Sequence, residues 1–268
     1  MHSMGGMDAA ILDFIDGLSE GELQSPILIR KATSLRRIGR YADSEKEFRS
    51  VIQHLSGYEL SSARFELGVT LLFLGCDDIR RCSGGGEEEC CVKSREAQSL
   101  FKELCSEDLS VLDVKSALCS MRHSQAATAS GDLEEAEAVL REGMDSVKSR
   151  YLGEYQACLS TVLFLFGEKR DIDAAVRIYR ESVENAPDFG DMRRVLEYRE
   201  WPAGIVSILG EVQQASLSRE VSKSSRRGCG CSIVSSVSGF GIWGVFIIFI
   251  GVIALMRYRF GFRGLRRS

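Results

Sequence analysis

Two sets of positions repeat along this chain with one spacing. Ala97, Ala136 and Ala175 are 39 residues apart, and the residue four positions after each of them is large. These large residues are Phe101, Leu140 and Tyr179. Positions i and i+4 lie on one face of a helix, so each pair marks a packing face. A fixed period of this length is the signature of stacked supersecondary units, and it predicts an all-α solenoid of helical hairpins.

The first hairpin shows how each unit is built. An apolar helical stripe stops at Gly39-Arg40-Tyr41, and a second amphipathic helix follows with Phe48 on its apolar face. Three more hairpins of this kind follow, and further helices after residue 190 are suited to capping the stack. The sequence therefore predicts a helical repeat domain over residues 25–217, preceded by an N-terminal segment, residues 1–24, with one short helix.

The residue pattern resembles the tetratricopeptide repeat (TPR) family. In that family a small residue lies on the first helix, a Gly and an aromatic mark the turn, the second helix carries a small residue followed by an aromatic, and a Pro ends the unit. The resemblance implies that the matching residues pack one helix against the next. An irregular helical bundle is the alternative. The matching residues are Ala32, Gly39, Tyr41, Phe48, Gly68, Gly75, Ala97, Phe101, Gly131, Ala136, Leu140, Ala175, Tyr179 and Pro187.

The second hairpin contains an acidic insertion, residues 76–93, which is predicted to be a disordered loop. Its four cysteines include no Cys-x-x-Cys pair and no nearby His, so we expect no metal and no other cofactor. A domain in the cytosol keeps its thiols reduced, and the cysteines of the repeat domain are expected to be free. They are Cys76, Cys82, Cys90, Cys91, Cys105, Cys119 and Cys158.

The last part of the chain contains 24 residues without a charge, Ile233 to Met256. As a helix this run is about 36 Å long, which is enough to cross a hydrocarbon core of about 30 Å. A buried core helix is the alternative, but an uncharged run of this length favours a membrane span. Residues 233–256 are therefore predicted to be a transmembrane helix, joined to the repeat domain by a flexible linker, residues 218–232.

Residues 1–18 have no basic residues at their start, and acidic residues interrupt their apolar ones, so no signal peptide is expected there. A span this close to the C-terminus emerges from the ribosome only as translation ends. The sequence thus predicts a tail-anchored protein with its helical domain in the cytosol and a short basic tail, residues 257–268, across the membrane. The tail residues expected to act in targeting are Arg257, Arg259, Arg263, Arg266 and Arg267.

Charge is divided unevenly between the two parts of the chain. All 38 Asp and Glu and 26 of the 34 Lys and Arg lie in residues 1–222, which therefore carry a net charge of −12, whereas the remainder carries +8. An acidic domain does not favour nucleic acid as a partner. No motif joins His2, His54 or His123 to a nucleophile, so we expect neither an enzyme nor a small-molecule substrate.

Two cysteines lie in the linker beside basic residues. Cysteines next to a membrane span can be reached by palmitoyl transferases, so Cys229 and Cys231 are candidate S-palmitoylation sites. The short basic tail resembles those of mitochondrial outer-membrane anchors, which predicts that address. The peroxisome and the endoplasmic reticulum are the alternative addresses, the latter because the stretch from Phe246 to Ile250 is strongly apolar.

The combination of TPR-like hairpins with a C-terminal anchor resembles the mitochondrial fission adaptor family. That resemblance implies an organelle-surface adaptor, whose groove binds a cytosolic protein or peptide and which acts in mitochondrial or peroxisomal fission. A receptor for protein import or targeting on the same membrane is the alternative. A membrane-bound enzyme with an unrecognised site is the remaining possibility.

Overall fold

The computed structural model describes residues 4–19, 24–75, 79–82, 87–106, 113–147, 149–198 and 200–227. Every regular element in these ranges is helical, which confirms the predicted all-α class. Two short 3-10 turns, Ile79–Arg81 and Pro187–Gly190, accompany the α-helices. The α-helices are α1 (Met4–Asp16), α2 (Ser25–Arg37), α3 (Tyr41–Ile52), α4 (Gly57–Leu74), α5 (Glu89–Ser106), α6 (Asp113–Ser130), α7 (Leu133–Ser146), α8 (Ser149–Phe166), α9 (Lys169–Asn185), α10 (Met192–Tyr198) and α11 (Ala203–Arg227).

Helices α2 to α9 form four consecutive hairpins. The first helices of the hairpins, α2, α4, α6 and α8, each contact the next one along, and we call them the inner layer. The second helices, α3, α5, α7 and α9, pack on the inner helix of their own hairpin, and α3, α5 and α7 also pack on the inner helix that follows. We call these the outer layer. This arrangement of two layers is the one expected of stacked helical hairpins.

Glycine ends two of the inner helices in the same way. Gly39 and Gly131 have φ angles of 84° and 88°, in the left-handed region that favours glycine. The residue after each glycine donates its backbone N–H to the carbonyl five positions earlier, at 2.8 Å from Arg40 to Leu35 and 2.9 Å from Asp132 to Ala127. This is the Schellman hydrogen-bond pattern, which stops a helix and reverses the chain.

The apolar side chains of the helical region form two clusters. The first joins α2, α3, α4, α5 and part of α6, and Phe48 and Phe101 are fully buried in it. The second joins the rest of α6 to α7, α8, α9 and α11, and contains the buried Trp201. Because α6 contributes to both clusters, it links the first two hairpins to the last two.

Two boundaries differ from the sequence prediction. The sequence predicts an insertion over residues 76–93, but α5 begins at Glu89 and Ile79–Arg81 forms a 3-10 turn whose Ile79 is buried in the core. The sequence also predicts a linker over residues 218–232, but α11 continues to Arg227. Sequence patterning failed at both places because the acidic start of α5 and the Ser-rich end of α11 show no apolar period there. Acidic residues suit the first turn of a helix.

Five described cysteines that were expected to be free are disulfide-bonded: Cys82, Cys90, Cys91, Cys105 and Cys119. Cys76 lies outside the described residues. Cys82 is bonded to Cys91 with their Cα atoms 5.4 Å apart, and Cys105 is bonded to Cys119 with their Cα atoms 5.9 Å apart. Both separations suit a disulfide. The second pair joins α5 to α6, which are antiparallel neighbours, and the first joins the 3-10 turn to the start of α5. The prediction of reduced thiols rests on cellular compartment alone, and compartment does not indicate which cysteines the fold brings close together. Cys158 is a free, buried thiol, as expected.

No helix among the described residues is long and apolar enough to span a bilayer. The predicted span, residues 233–256, lies outside the part of the chain that the structure describes. So do the basic tail, 257–268, and the remainder of the predicted linker after Arg227.

Candidate protein-binding face

The exposed side of an inner layer is where a stack of hairpins presents a binding groove, so its residues are the candidate site. A network of charged side chains crosses this layer. Arg36 in the last turn of α2 donates from Nη2 to Glu66 of α4 and from Nη1 to Glu200, both at 2.9 Å. Arg36 itself is only 5% exposed. One guanidinium therefore joins the first hairpin, the second hairpin and the segment before α11, 164 positions away in sequence.

Glu200 is held by a second and a third arginine. The Nε of Arg37 lies 3.6 Å from a carboxylate oxygen of Glu200, and Nη1 of the buried Arg122 of α6 donates to the Glu200 backbone carbonyl at 2.9 Å. Gln125 accepts from the same nitrogen of Arg122 at 2.8 Å. We call Arg36, Arg37, Arg122 and Glu200, together with Glu66, the inner-face network. Two guanidinium groups of α2 bind the Glu200 carboxylate, and one of α6 binds the Glu200 backbone carbonyl.

The backbone at Glu200 adopts an unusual conformation. Its φ angle is 50°, and it is the only described residue other than glycine with a positive φ. A side chain in this region costs on the order of 1 kcal/mol, so other contacts must compensate for it. The contacts from Arg36 and Arg122 provide that compensation, because they hold both the carboxylate and the carbonyl of this residue.

Electrostatics within the network favour charged side chains. Burial alone would raise the pKa of Glu200, but Arg36, Arg37 and Arg122 lower it below its usual value. For Arg36, burial acts to lower the pKa, and Glu66 and Glu200 raise it above the usual value. The pKa of Arg122 is lowered by burial and by the charge of Arg36. The network is thus an ion cluster that depends on acidic groups to balance its buried arginines.

The inner layer is covered at α6. All ten residues from Met121 to Ser130 are buried, although a helix that lined an open groove would leave one face exposed. The 3-10 turn at Ile79–Arg81 contacts α6, and Glu200 lies over Arg122. The chain's own segments therefore occupy this part of the inner face.

The start of α11 adds to this covering. Its apolar side chains Ile205, Leu209 and Val212, together with Trp201 just before it, are buried in the second core cluster. Arg80 of the 3-10 turn forms a two-bond ion pair with Glu211 of α11, at 3.0 and 2.7 Å. Further along, Ser216 accepts from Arg180 of α9 at 2.9 Å. Within the chain itself, this face thus binds the amphipathic helix α11 and the carboxylate of Glu200, which precedes that helix.

The residues predicted to pack the repeats lie mainly between the two layers. Gly68 of α4 faces the ring of Phe101, such that a Cβ atom at Gly68 would lie 2.7 Å from Cζ of Phe101. Tyr41 stacks on Phe73 with ring centroids 5.3 Å apart. Gly75 ends α4 beside Ser94, whereas Pro187 is exposed at the start of a 3-10 turn. The fully or nearly fully buried members are Ala32, Phe48, Ala97, Phe101, Ala136, Leu140, Ala175 and Tyr179.

Sequence reasoning did not identify the inner-face network. Arg36, Glu66, Arg122 and Glu200 are ordinary charged residues in the sequence, and no local spacing connects them. Of the three histidines, His123 is buried in α6, with Nε2 3.4 Å from a carboxylate oxygen of Glu135. The predicted targeting arginines and the candidate palmitoylation sites Cys229 and Cys231 lie outside the described residues.

The described region is thus a helical-hairpin protein with an ion network across its inner layer. Its sequence matches no model of a known protein family and no curated protein.

Proposed function

We propose that this protein is a membrane-tethered adaptor, whose helical domain binds a cytosolic partner protein at an organelle surface. The observation that carries this proposal is the succession of a four-hairpin domain and a 24-residue uncharged run flanked by arginines. Stacked hairpins supply an extended surface for a helix or a peptide of another protein. An uncharged run of this length supplies an anchor. The first part recruits and the second part determines where recruitment occurs.

The TPR-like character of the hairpins belongs to the same proposal. It is supported by the 39-residue spacing of Ala97, Ala136 and Ala175 and by their complete burial between helices. The adaptor uses the inner face that Glu200 and α11 cover in the isolated chain. A partner with an acidic residue next to an apolar helix has the chemistry that Glu200 and the start of α11 already present there. Such a partner binds by displacing the Glu200 segment.

The proposed address is the mitochondrial outer membrane, with the helical domain facing the cytosol. Its support is the five-arginine tail after Met256 and the resemblance to the mitochondrial fission adaptor family. A role in organelle fission is the finer part of the proposal. It predicts that removing the protein elongates the organelle, because division would then lack its adaptor.

Re-anchoring tests whether the chain recruits a partner. A peroxidase for proximity labelling is fused before Met1, and residues 228–268 are either kept or replaced by a plasma-membrane anchor. An adaptor labels the same cytosolic protein in both cases and moves that protein to the plasma membrane. If no cytosolic protein follows the chain to the new membrane, the adaptor function is contradicted. Loss of an imported protein from the organelle on deletion would favour the receptor alternative instead.

A matched pair of variants locates the binding face in the same assay. Glu200→Gln removes the charge that Arg36 and Arg37 hold, so the covering segment is released more readily and recovery of the partner increases. Glu137→Gln removes a comparable carboxylate from a local ion pair with Arg141 on α7 and leaves recovery unchanged. Equal recovery in the two variants would place the partner elsewhere on the domain.

A further inference from the structure

Three sulfur atoms meet where the 3-10 turn approaches the start of α5. The Sγ atoms of Cys82, Cys90 and Cys91 all lie within 4.8 Å of one another. Cys82 and Cys91 are buried and Cys90 is half-buried. Cys82 lies nine positions before Cys91, and Cys90 is adjacent to Cys91. The cluster therefore has no Cys-x-x-Cys spacing by which the sequence could have predicted it. We propose that these three cysteines, once their disulfides are reduced, form a zinc-binding site through their thiolates.

The dimensions of the cluster suit this ion. Tetrahedral zinc binds cysteine sulfur at about 2.3 Å, which places its sulfur ligands about 3.8 Å apart. The separations here, up to 4.8 Å, require shifts of about 1 Å, apart from the opening of the disulfide. Three thiolates select a borderline-soft cation such as Zn²⁺ over Mg²⁺ or Ca²⁺, which prefer oxygen.

A fourth ligand is available at the exposed side of the cluster. Oε2 of Glu88 lies 3.8 Å from Sγ of Cys90 and faces solvent. In a tetrahedral zinc site a sulfur and an oxygen ligand are about 3.5 Å apart, so this carboxylate is within reach of the same ion. The half-buried Cys90 and the exposed Glu88 also leave a path by which the ion enters.

The two arms of the site are held together by contacts other than the disulfide. Ile79 inserts into the core beside α6, and Arg80 is paired with Glu211 of α11. On the other arm, Ser94 of α5 donates to the Cys90 carbonyl at 3.1 Å and packs against Gly75. Reduction therefore leaves the sulfurs close together, and a site formed in advance binds metal without ordering a loop.

The first turn of α5 favours the charge of the thiolates. Cys90 and Cys91 are the second and third residues of an 18-residue helix, where the helix dipole stabilises negative charge. Arg81, on the turn that carries Cys82, lies 4.0 Å from Glu88 and offsets part of the acidic character of the segment. The site thus accommodates three anionic ligands around a divalent cation.

The chemistry couples metal binding to the redox state. A dithiol reductant gives two electrons and two protons to each disulfide that holds these cysteines, and becomes a disulfide itself each time. Zn²⁺ then replaces the thiol protons of the three cysteines, which are released to solvent. Oxidation reverses the sequence, because cysteines that re-form disulfides, Cys82 and Cys91 among them, no longer bind the ion. This inference is independent of the membrane role, since the reductant can be supplied to the purified protein.

Metal titration of the full chain tests the proposal. The purified protein is reduced with a dithiol, freed of reductant and titrated with Co²⁺ and then Zn²⁺. We expect thiolate-to-cobalt charge-transfer absorption, its loss as Zn²⁺ displaces cobalt, and retention of one zinc per chain. The unreduced protein retains none. Cys90→Ser loses one ligand and its zinc affinity falls by about tenfold or more. The matched double variant Cys105→Ser/Cys119→Ser, with the disulfide between α5 and α6 removed, keeps the zinc.

Alkylation of the unmodified sequence tests the same proposal without variants that could misfold. Zinc should shield Cys82, Cys90 and Cys91 of the reduced chain from alkylation mapped by mass spectrometry, and leave the alkylation of Cys105 and Cys119 unchanged. The proposal is overturned if zinc protects both groups equally or neither group.

Discussion

At the scale of single residues, the inner-face network shows how buried charge fixes a conformation. Taking Arg36 out of water is costly, and its hydrogen bonds to Glu66 and Glu200 offset most of that cost. The net gain in stability is therefore small. Removing one charged side chain of the network, however, leaves its ion-pair partner buried without an opposite charge. What the network secures is the position of the Glu200 segment over α6.

Replacing the central arginine tests this argument. Arg36→Gln should lower the free energy of unfolding by about 2–3 kcal/mol, because two hydrogen bonds to charged groups are lost. Arg40→Gln is the control, since Arg40 is exposed and pairs only locally with Asp43, and its effect should be within about 0.5 kcal/mol. Urea unfolding monitored by circular dichroism measures both. Equal effects would mean that the network contributes nothing beyond a surface ion pair.

His123 gives the structure a dependence on pH. Burial lowers its pKa below the usual 6.5, and Lys102 acts in the same direction, whereas Glu135 raises it less. Although Glu135 lies 3.4 Å away, it already accepts from Gln98 at 2.6 Å and Lys102 at 2.7 Å, and Nε2 of His123 has no hydrogen-bond partner. The neutral imidazole is therefore the form that suits the folded state.

The sign of the pH effect follows from that lowered pKa. Below about pH 6.5 the unfolded chain binds a proton at His123 more readily than the folded chain, so stability falls as pH decreases. His123→Gln removes this proton uptake and should make the urea midpoint less sensitive to a change from about pH 7.5 to about pH 5.5. His54→Gln, at an exposed position, serves as the control. An unchanged pH dependence in the His123 variant would contradict the assignment.

At the scale of helices, close approach between the layers depends on glycine at one contact. Gly68 of α4 lies against the buried ring of Phe101 in α5, and that ring packs edge-on against Phe65. Gly68→Val should lower the free energy of unfolding by about 1–3 kcal/mol, because the added methyl groups must displace a ring that has no free space. Gly6→Val, where a Cβ would meet no atom within 4 Å, should be nearly neutral. Thermal unfolding distinguishes the two, and a neutral Gly68 variant would show that the layers can separate.

The helices could be predicted from sequence where the signal is local. The 39-residue spacing and the turns at Gly39 and Gly131 predict four hairpins. Both are local signals, since a helix face is defined by residues four positions apart and a glycine ends a helix at its own position. The start of α5 at Glu89 and the extension of α11 to Arg227 were missed, since neither has an apolar period.

The candidate sites could not be predicted, because each is formed by residues from separate segments that the fold brings together. Arg36 meets Glu200 across 164 positions. Cys82 meets Cys91 only because the 3-10 turn folds back against the start of α5. Nothing in the spacing of these residues distinguishes them from solvated charges or small packing residues.

At the scale of the whole molecule, the division of charge predicts how the chain is sorted. The acidic residues 1–222 precede an uncharged run, and five arginines follow it. Moving those arginines across a membrane costs free energy, so we expect them to have a function, and we propose targeting. Replacing Arg257, Arg259, Arg263, Arg266 and Arg267 with Ser in a fusion of residues 228–268 to a fluorescent protein should reduce mitochondrial location and increase reticulum location. Mitochondrial marking that is equally efficient without the arginines would contradict the proposed address.

The most direct test of the proposed function is membrane fractionation of the full chain. Tags are placed before Met1 and after Ser268, membranes are extracted with alkaline carbonate, and intact organelles are treated with protease. The proposal predicts that the chain stays in the membrane pellet, that protease removes the first tag and that the second is protected. A chain without residues 233–256 should move to the supernatant. Recovery of the full chain in the carbonate supernatant would contradict the proposal that this protein is anchored at all.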